Sequence, residues 1–170
     1  MNEMKEFNFL DGTTIKTKER CRGCFLKNNK INKYLDPIFE NEQIIVSQDM
    51  EYPVPAFYII SSTKHIFSIE QMDKDMRYNI SEMIYIIRKG LQEKFNIKNV
   101  TIIQEEKDID SHFHIWILPI WEKILKSDKP RIVKGNILEY MQLFDFKVTS
   151  SKILECNNIM KNFIKQSYEC

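Results

Sequence analysis

The chain contains three histidines, and two of them share the run His112-Phe-His-Ile-Trp-Ile-Leu-Pro119. In an extended strand side chains alternate between faces, so His112, His114, Trp116 and Leu118 take one face. Phe113, Ile115 and Ile117 take the other and read as core. An H-x-H on a solvated edge needs no function to explain it. Here, however, Cys21 and Cys24 stand at C-x-x-C spacing, which suits a metal or a redox pair. His65 adds a third imidazole. Two thiolates and two imidazoles make a tetrahedral zinc set, with C-x-x-C giving two ligands from one turn. Four protein ligands leave no position for water, so such a zinc is structural rather than catalytic. A reduced, metal-free C-x-x-C fits the same spacing. A redox pair would need the cysteines at a helix start within a parallel βαβ unit, and no such unit is legible. Cys156 and Cys170 are scattered and read as incidental.

These residues need elements to hold them. Gln43 to Gln48 is short and β-branched, a strand. Asp49 to Pro55, with two prolines, is a loop, and Phe57 to Ser61 is a second strand. From Glu70 to Phe95, Met72, Met76, Ile80, Ile84, Ile87, Leu91 and Phe95 repeat at three or four residues. That stripe predicts one long amphipathic helix, and Ser68 with Gln71 can form a capping box at its start. Val100 to Gln104 and Phe113 to Leu118 are two more strands, separated by the acidic loop Glu105 to Ser111. Pro130 breaks the chain, and helical patterns follow at 137–144 and 151–164. Tyr140, Phe144 and Phe146 there read as packing. Residues 1–20 are polar and read as irregular, with a turn at Asp11-Gly12. The expectation is an α+β domain.

The 170 residues carry 25 Lys and Arg against 24 Asp and Glu, a formal charge of +1. No global field draws in a nucleic-acid polymer or a membrane surface. Apolar stretches such as Phe57 to Ile60 are far short of the roughly 18 residues a transmembrane helix needs. The opening carries Glu3 and Glu6 and does not read as a signal peptide, so a cytoplasmic protein is expected. The one alanine and the many Ile, Lys and Asn suggest an AT-rich coding background. The cluster Lys126, Lys129, Arg131 and Lys134 is accordingly read as a solvated face.

The motif from His112 to Pro119 resembles that of the histidine triad (HIT) superfamily, histidines at alternate positions followed by an apolar pair and often proline. Upstream the agreement is gapless. Phe39-Glu-Asn-Glu-Gln-Ile-Ile-Val-Ser-Gln-Asp49 resembles the family's first hairpin. Asp49-Met-Glu-Tyr-Pro-Val-Pro-Ala-Phe-Tyr-Ile-Ile-Ser-Ser-Thr-Lys-His65 resembles its D-I-x-P-x-x-P-G-H-x-L-V-I-P-K-x-H segment. The resemblance implies an antiparallel sheet with one central helix over residues 21–121, between a polar segment (1–20) and a C-terminal helical extension (122–170).

It also implies roles. His114 matches the second motif histidine, the nucleophile that forms a nucleotidyl-histidine. Asp49 falls where the family binds ribose, and Ile38, Phe39 and Met50 fall near its base pocket. Zinc-bearing branches place ligands at the positions of Cys21, Cys24, His65 and His112. The chain departs from the pattern at Trp116, which stands at the third histidine, and at the Gly-Gln-Ser/Thr phosphate loop. That place holds Asp108-Ile109-Asp110, leaving Ser111 as a donor. Trp121 and Lys123 fall where relatives' C-terminal residues reach the site mouth. The expected protein is a nucleotide hydrolase or nucleotidyltransferase, a homodimer, acting on a nucleotide or dinucleoside polyphosphate. The alternative is a catalytically weakened, zinc-stabilised nucleotide-binding module.

Overall fold

The computed structural model describes residues 4–107, 110–121 and 136–168. Asp108, Ile109, Lys123, Lys126, Lys129, Pro130, Arg131, Lys134 and Cys170 lie outside them. The elements are β1 (Lys5–Asn8), β2 (Thr14–Thr17), α1 (Arg22–Asn28), β3 (Phe39–Glu40), β4 (Ile44–Gln48) and β5 (Tyr58–Ser62). A 3-10 turn (Ile69–Gln71), α2 (Lys74–Phe95), β6 (Val100–Gln104), β7 (His114–Pro119), α3 (Ile137–Met141) and α4 (Phe146–Tyr168) follow. Five strands form one sheet in the order β3-β4-β5-β7-β6, with every neighbouring pair antiparallel.

Helix α2 lies on one sheet face because both elements bury their apolar rows there. Ile44, Val46, Tyr58, Ile60, Phe113, Ile115 and Ile117 meet Met76, Ile80, Met83, Ile87 and Leu91 in the main core. Each such side chain contributes roughly 1.5–3 kcal/mol of transfer free energy. The stripe was legible, but the start of the helix was not. The Ser68–Gln71 capping box forms, yet it closes the 3-10 turn, and α2 begins later, where the Asp73 carboxylate accepts Met76 N–H at 2.8 Å. Asn96 ends the helix in the left-handed conformation, φ 53°.

Helix α4 completes the core with Ile153, Cys156, Met160, Phe163 and Ile164, all buried. It crosses α2 at Gly90, where a Cβ would lie 2.8 Å from both Met160 Sδ and Phe163 Cδ1. On the opposite sheet face α3 covers one end, burying Tyr140, Met141 and Phe144 against Val54, Phe57, Leu118 and Ile120. The Tyr140 hydroxyl donates to Pro119 O at 2.8 Å and accepts Trp121 N–H at 2.9 Å. Phe146 meets Tyr34 edge-on at 4.9 Å. All three aromatics pack, as their pattern implied.

The reading of residues 1–20 as irregular needs correction. Strands β1 and β2 form an antiparallel hairpin that turns at Asp11-Gly12, with Gly12 at φ +83°. An isolated hairpin is marginal in water. This one is held by Phe7 and Phe9 packing on Phe25 and Met50, and by Leu10 N–H donating to Met50 O at 2.7 Å. Those partners are distant in sequence, which is why local pattern missed it. Among the described residues no helix is long and apolar enough to cross a membrane.

Candidate metal centre and active site

Cys21 is the N-cap of α1, and its Sγ accepts the Cys24 N–H at 3.3 Å. The cap turns both sulfurs toward one side of the first helical turn. His65 follows β5 by three residues and His112 precedes β7 by two, so the β5–β7 pairing brings them together from the sheet. Cys21 Sγ lies 3.3 Å and Cys24 Sγ 3.6 Å from His112 Nδ1, and Cys24 Sγ lies 3.4 Å from His65 Nδ1. All four ligand atoms fall within 4.8 Å of one another. Tetrahedral bonds of about 2.3 Å to sulfur and about 2.05 Å to nitrogen put S and N about 3.6 Å apart. The cluster has that size.

Its protonation is suited to a cation as well. His112 Nε2–H donates to Ser62 O at 2.7 Å, which leaves the Nδ1 lone pair facing the sulfurs. Burial holds this imidazole's pKa below the ordinary value, so it stays neutral. Burial, and then hydrogen bonding to Cys21, pushes the Cys24 thiol up to about 11. A cation at the cluster centre is what would ionise such a thiol near neutral pH. Gly23 makes the approach possible: a Cβ there would meet His112 Cγ at 2.5 Å. The cysteines do start a helix, as a redox pair requires, but every neighbouring pair in the main sheet is antiparallel. Both sulfurs also point at imidazoles.

His114 is half-buried on the same face of β7. Its Nδ1–H donates to His112 O at 2.8 Å, which in the neutral ring makes Nε2 the unprotonated nitrogen. Across the strands Ile45, Ser61 and His114 form one row, and Ser47, Ile59, Trp116 and Ile103 form the next. All seven are half-buried. Trp116 lies 5.9 Å from the His114 ring, and Phe57 meets its indole edge-on at 5.5 Å.

No family model matches the sequence, and no curated protein matches it. Solved structures do match. A Zn-bound histidine triad family protein from Mycobacterium smegmatis aligns at TM-score 0.59 and 10% identity, over 88% of this chain and 96% of its own. A Hit-like protein involved in cell-cycle regulation from Bartonella henselae aligns at 0.57 and 14%, over 84% and 95%. A hypothetical histidine triad nucleotide-binding protein from Sulfolobus tokodaii aligns at 0.54 and 21%, over 86% and 93%. The chain has the histidine triad fold.

Within that fold the site residues have definite places. Asp49 ends β4 and is 2% exposed; its Oδ1 accepts the N–H groups of Glu51 at 2.9 Å and Tyr52 at 2.6 Å. Burial pushes its carboxyl up to about 7 against the pull of those two bonds. Ile38 is buried in the main core, Phe39 packs against Tyr168 at 4.7 Å, and Met50 is buried under the hairpin. The structure therefore distributes these three among different surroundings. Ser111 is half-buried, and Asp110 pairs with Lys5 of the hairpin at 3.5 Å. Trp121 donates its indole N–H to Pro55 O at 2.9 Å and packs between the two sheet-face clusters. Sequence reasoning missed Gly23, the Ser62 carbonyl and the hairpin. Of these only Gly23 left a signal, a glycine inside C-R-G-C in a chain with four glycines.

Proposed function

We propose that this chain is a zinc-stabilised nucleotide phosphoester or phosphoanhydride hydrolase or nucleotidyltransferase that works through a nucleotidyl intermediate on His114. One observation carries the reading. The His114 Nδ1–H is held by the His112 carbonyl at 2.8 Å, which turns Nε2, in the neutral ring, into the available nitrogen on a half-buried sheet face. That tautomer is the one in which Nε2 can act as the nucleophilic atom of a neutral imidazole. The zinc-bound and nucleotide-binding names of two similar structures support the cofactor and the substrate class.

Cys21, Cys24, His65 and His112 would hold the zinc, whose chemistry here is to lock α1 onto the sheet. His112 would then be fixed on both sides, by metal at Nδ1 and by Ser62 O at Nε2. Its carbonyl orients His114 in turn. His114 Nε2 forms a bond to the α-phosphorus, the leaving group takes the electron pair of the broken P–O bond, and water or an acceptor phosphate releases the nucleotide. Ser111 is the proposed donor to the phosphoryl oxygens and Trp116 a wall of the site. Asp49 is the proposed ribose acceptor; Ile38, Phe39 and Met50 lie in three different surroundings and are not proposed to form one base pocket. The protein is proposed to be cytoplasmic and homodimeric.

Intact-protein mass spectrometry tests this after incubation with mixed nucleotide esters and an acid-free quench. A nucleotide-sized adduct is expected on the wild type and absent from His114→Ala. If the wild type forms neither adduct nor product while nucleotide still binds, the second reading holds, a binding module that has lost turnover. Trp116 at the third motif position and the buried, turn-capping Asp49 are the observations that favour it.

A further inference from the structure

The formal charge of +1 hides an uneven distribution. Residues 16–33 hold seven Lys and Arg against one Glu, whereas the other 152 residues hold 18 against 23. A lysine-rich background alone would scatter cations among carboxylates, as happens in the rest of the chain. We infer that β2, α1 and the turns beside them form a second binding surface, separate from His114, that docks the phosphate backbone of a nucleic acid. The fold carries these charges on the outside of the N-terminal lobe. Lys16, Lys18, Arg20, Lys27, Lys30 and Lys33 are exposed, and Arg22 is half-buried. Helix α1 is seven residues long, about 10 Å, so Arg20 before it and Lys30 after it lie along a path that a short oligonucleotide can follow.

Two contacts hold the charged segments in place. The Lys27 ammonium donates to Thr63 O at 2.7 Å, which brings the end of α1 to the end of β5 and adds the exposed Lys64 to the same surface. The Asn32 amide donates to Asp11 Oδ2 at 2.9 Å, which ties the segment carrying Lys30 and Lys33 to the hairpin turn. Glu6 faces Lys16 at 3.5 Å and Glu51 faces Arg22 at 3.0 Å; solvent-facing pairs of this kind are weak and exchange for phosphate at little cost. The class of partner follows from where the lobe puts its aromatic rings. Phe7, Phe9 and Phe25 are 5%, 4% and 8% exposed and pack together with Met50. A protein interface needs large aromatic anchors, and a membrane-adsorbed face needs large apolar side chains to insert. This lobe spends its rings on its own core and turns cations outward. Cations spaced along a strand and a helix suit a phosphate backbone, whose binding is independent of sequence and falls steeply with salt.

Fluorescence anisotropy of labelled oligo-U and of a mixed-sequence strand tests this with the zinc-saturated full chain. Dissociation constants of roughly 1–100 µM at physiological salt are expected, alike for the two sequences. Contacts from Lys18, Arg20, Lys30, Lys33 and Lys64 would give a log–log salt slope of about −3.5, at about 0.7 per phosphate neutralised on a single strand. The triple variant Lys18→Gln, Lys30→Gln, Lys33→Gln is expected to bind at least tenfold more weakly, with a slope shallower by about 2. Lys152→Gln, Lys161→Gln, Lys165→Gln removes as much charge from exposed positions of α4 and is expected to bind as wild type does. His114→Ala is also expected to bind normally, so the surface stands or falls independently of the nucleophile. The inference is overturned if no oligonucleotide binds at low salt, if the lobe variant binds like wild type, or if the α4 variant loses as much. Loss of binding in His114→Ala overturns it too, by placing the strand in the His114 site. Phosphatidylserine vesicles or polyglutamate bound as tightly as oligo-U at the same salt would make the lobe a membrane or acidic-protein surface instead. Circular dichroism and zinc content identify a misfolded variant. In that event Lys18→Gln and Lys30→Gln are each expected to flatten the slope by about 0.7, and the inference fails if neither does.

Discussion

Gly23 sits between the two zinc-type cysteines with its α-carbon against the His112 ring. A methyl group there meets Cγ at 2.5 Å, Cβ at 2.7 Å and Nδ1 at 2.8 Å. The ring cannot yield, because its far nitrogen is bonded to Ser62 O and its backbone leads into the paired strand β7. Gly23→Ala is therefore expected to push His112 out of the cluster and lower bound zinc well below one per chain. Overpacking of this kind costs about 1–3 kcal/mol beyond the lost metal. Elemental analysis beside chemical denaturation checks both, and full zinc occupancy in Gly23→Ala would show that the His112 ring can give way to the added methyl group. The side chains of this cluster were legible in the sequence because soft ligands are few and cheap to enumerate. The glycine was not, because its role is a distance to a residue 89 positions away. Likewise, the carbonyls of Ser62 and His112 that set the two tautomers belong to the backbone and leave no mark on residue type.

At the scale of elements, the loop after β4 trades stability for a buried carboxyl. Asp49 caps the turn to Tyr52, and burial pushes its pKa up to about 7 from an unfolded value near 3.8. The folded chain thus holds a proton that the unfolded chain releases. Stability from this group is fully present below about pH 4 and is lost as pH rises through about 7. Asp49→Asn keeps an oxygen for the Glu51 and Tyr52 N–H groups and removes the titration. Urea midpoints of wild type and Asp49→Asn, both saturated with zinc, are expected to diverge between pH 5 and pH 8. The variant should become the more stable by an amount on the order of a few kcal/mol. A difference constant with pH would mean that Asp49 is ionised throughout. A second element-scale prediction concerns the crossing of α2 and α4, where Gly90 touches Met160 and Phe163. Gly90→Leu is expected to cost at least 2–3 kcal/mol by prising α4 off the core, despite leucine's better helix propensity. The four sheet strands from Ile44 to Pro119 and the α2 stripe were legible because their periodicity is local. The start of α2 was not, since two capping signals, Ser68 and Asp73, lie five residues apart and only packing assigns each to its turn.

For the whole molecule, the cluster joins two parts whose described apolar side chains pack in separate groups. Residues 5–28 pack in their own group, Phe7, Phe9 and Phe25 with Met50, whereas the sheet, α2 and α4 share the main core. Beyond Met50, the links between them are few. Among the described residues they include the cluster, the Lys27 ammonium on Thr63 O at 2.7 Å, the Asn32 amide on Asp11 at 2.9 Å, and two exposed ion pairs, Arg22–Glu51 and Lys5–Asp110. Exposed pairs contribute about 1 kcal/mol at most. Four metal bonds would therefore dominate the attachment of the hairpin and α1, and the main core would stand without them. Chelation under reducing conditions is expected to give two separate responses. Hydrogen exchange should rise strongly across residues 5–28 and in the segment around His65, while α2 and α4 keep their protection. Cys24→Ser should behave like the chelated wild type. His114→Ala, whose side chain is not a ligand, should behave like the metal-bound wild type. Uniform loss of protection across α2 and α4 on chelation would mean that the cluster carries the entire fold, as in domains too small to hold a core of their own. The extensive burial of Met83, Ile87, Leu91, Ile153 and Met160 argues for the first outcome. On that view a metal at the cluster would hold strand β7 and α1 together.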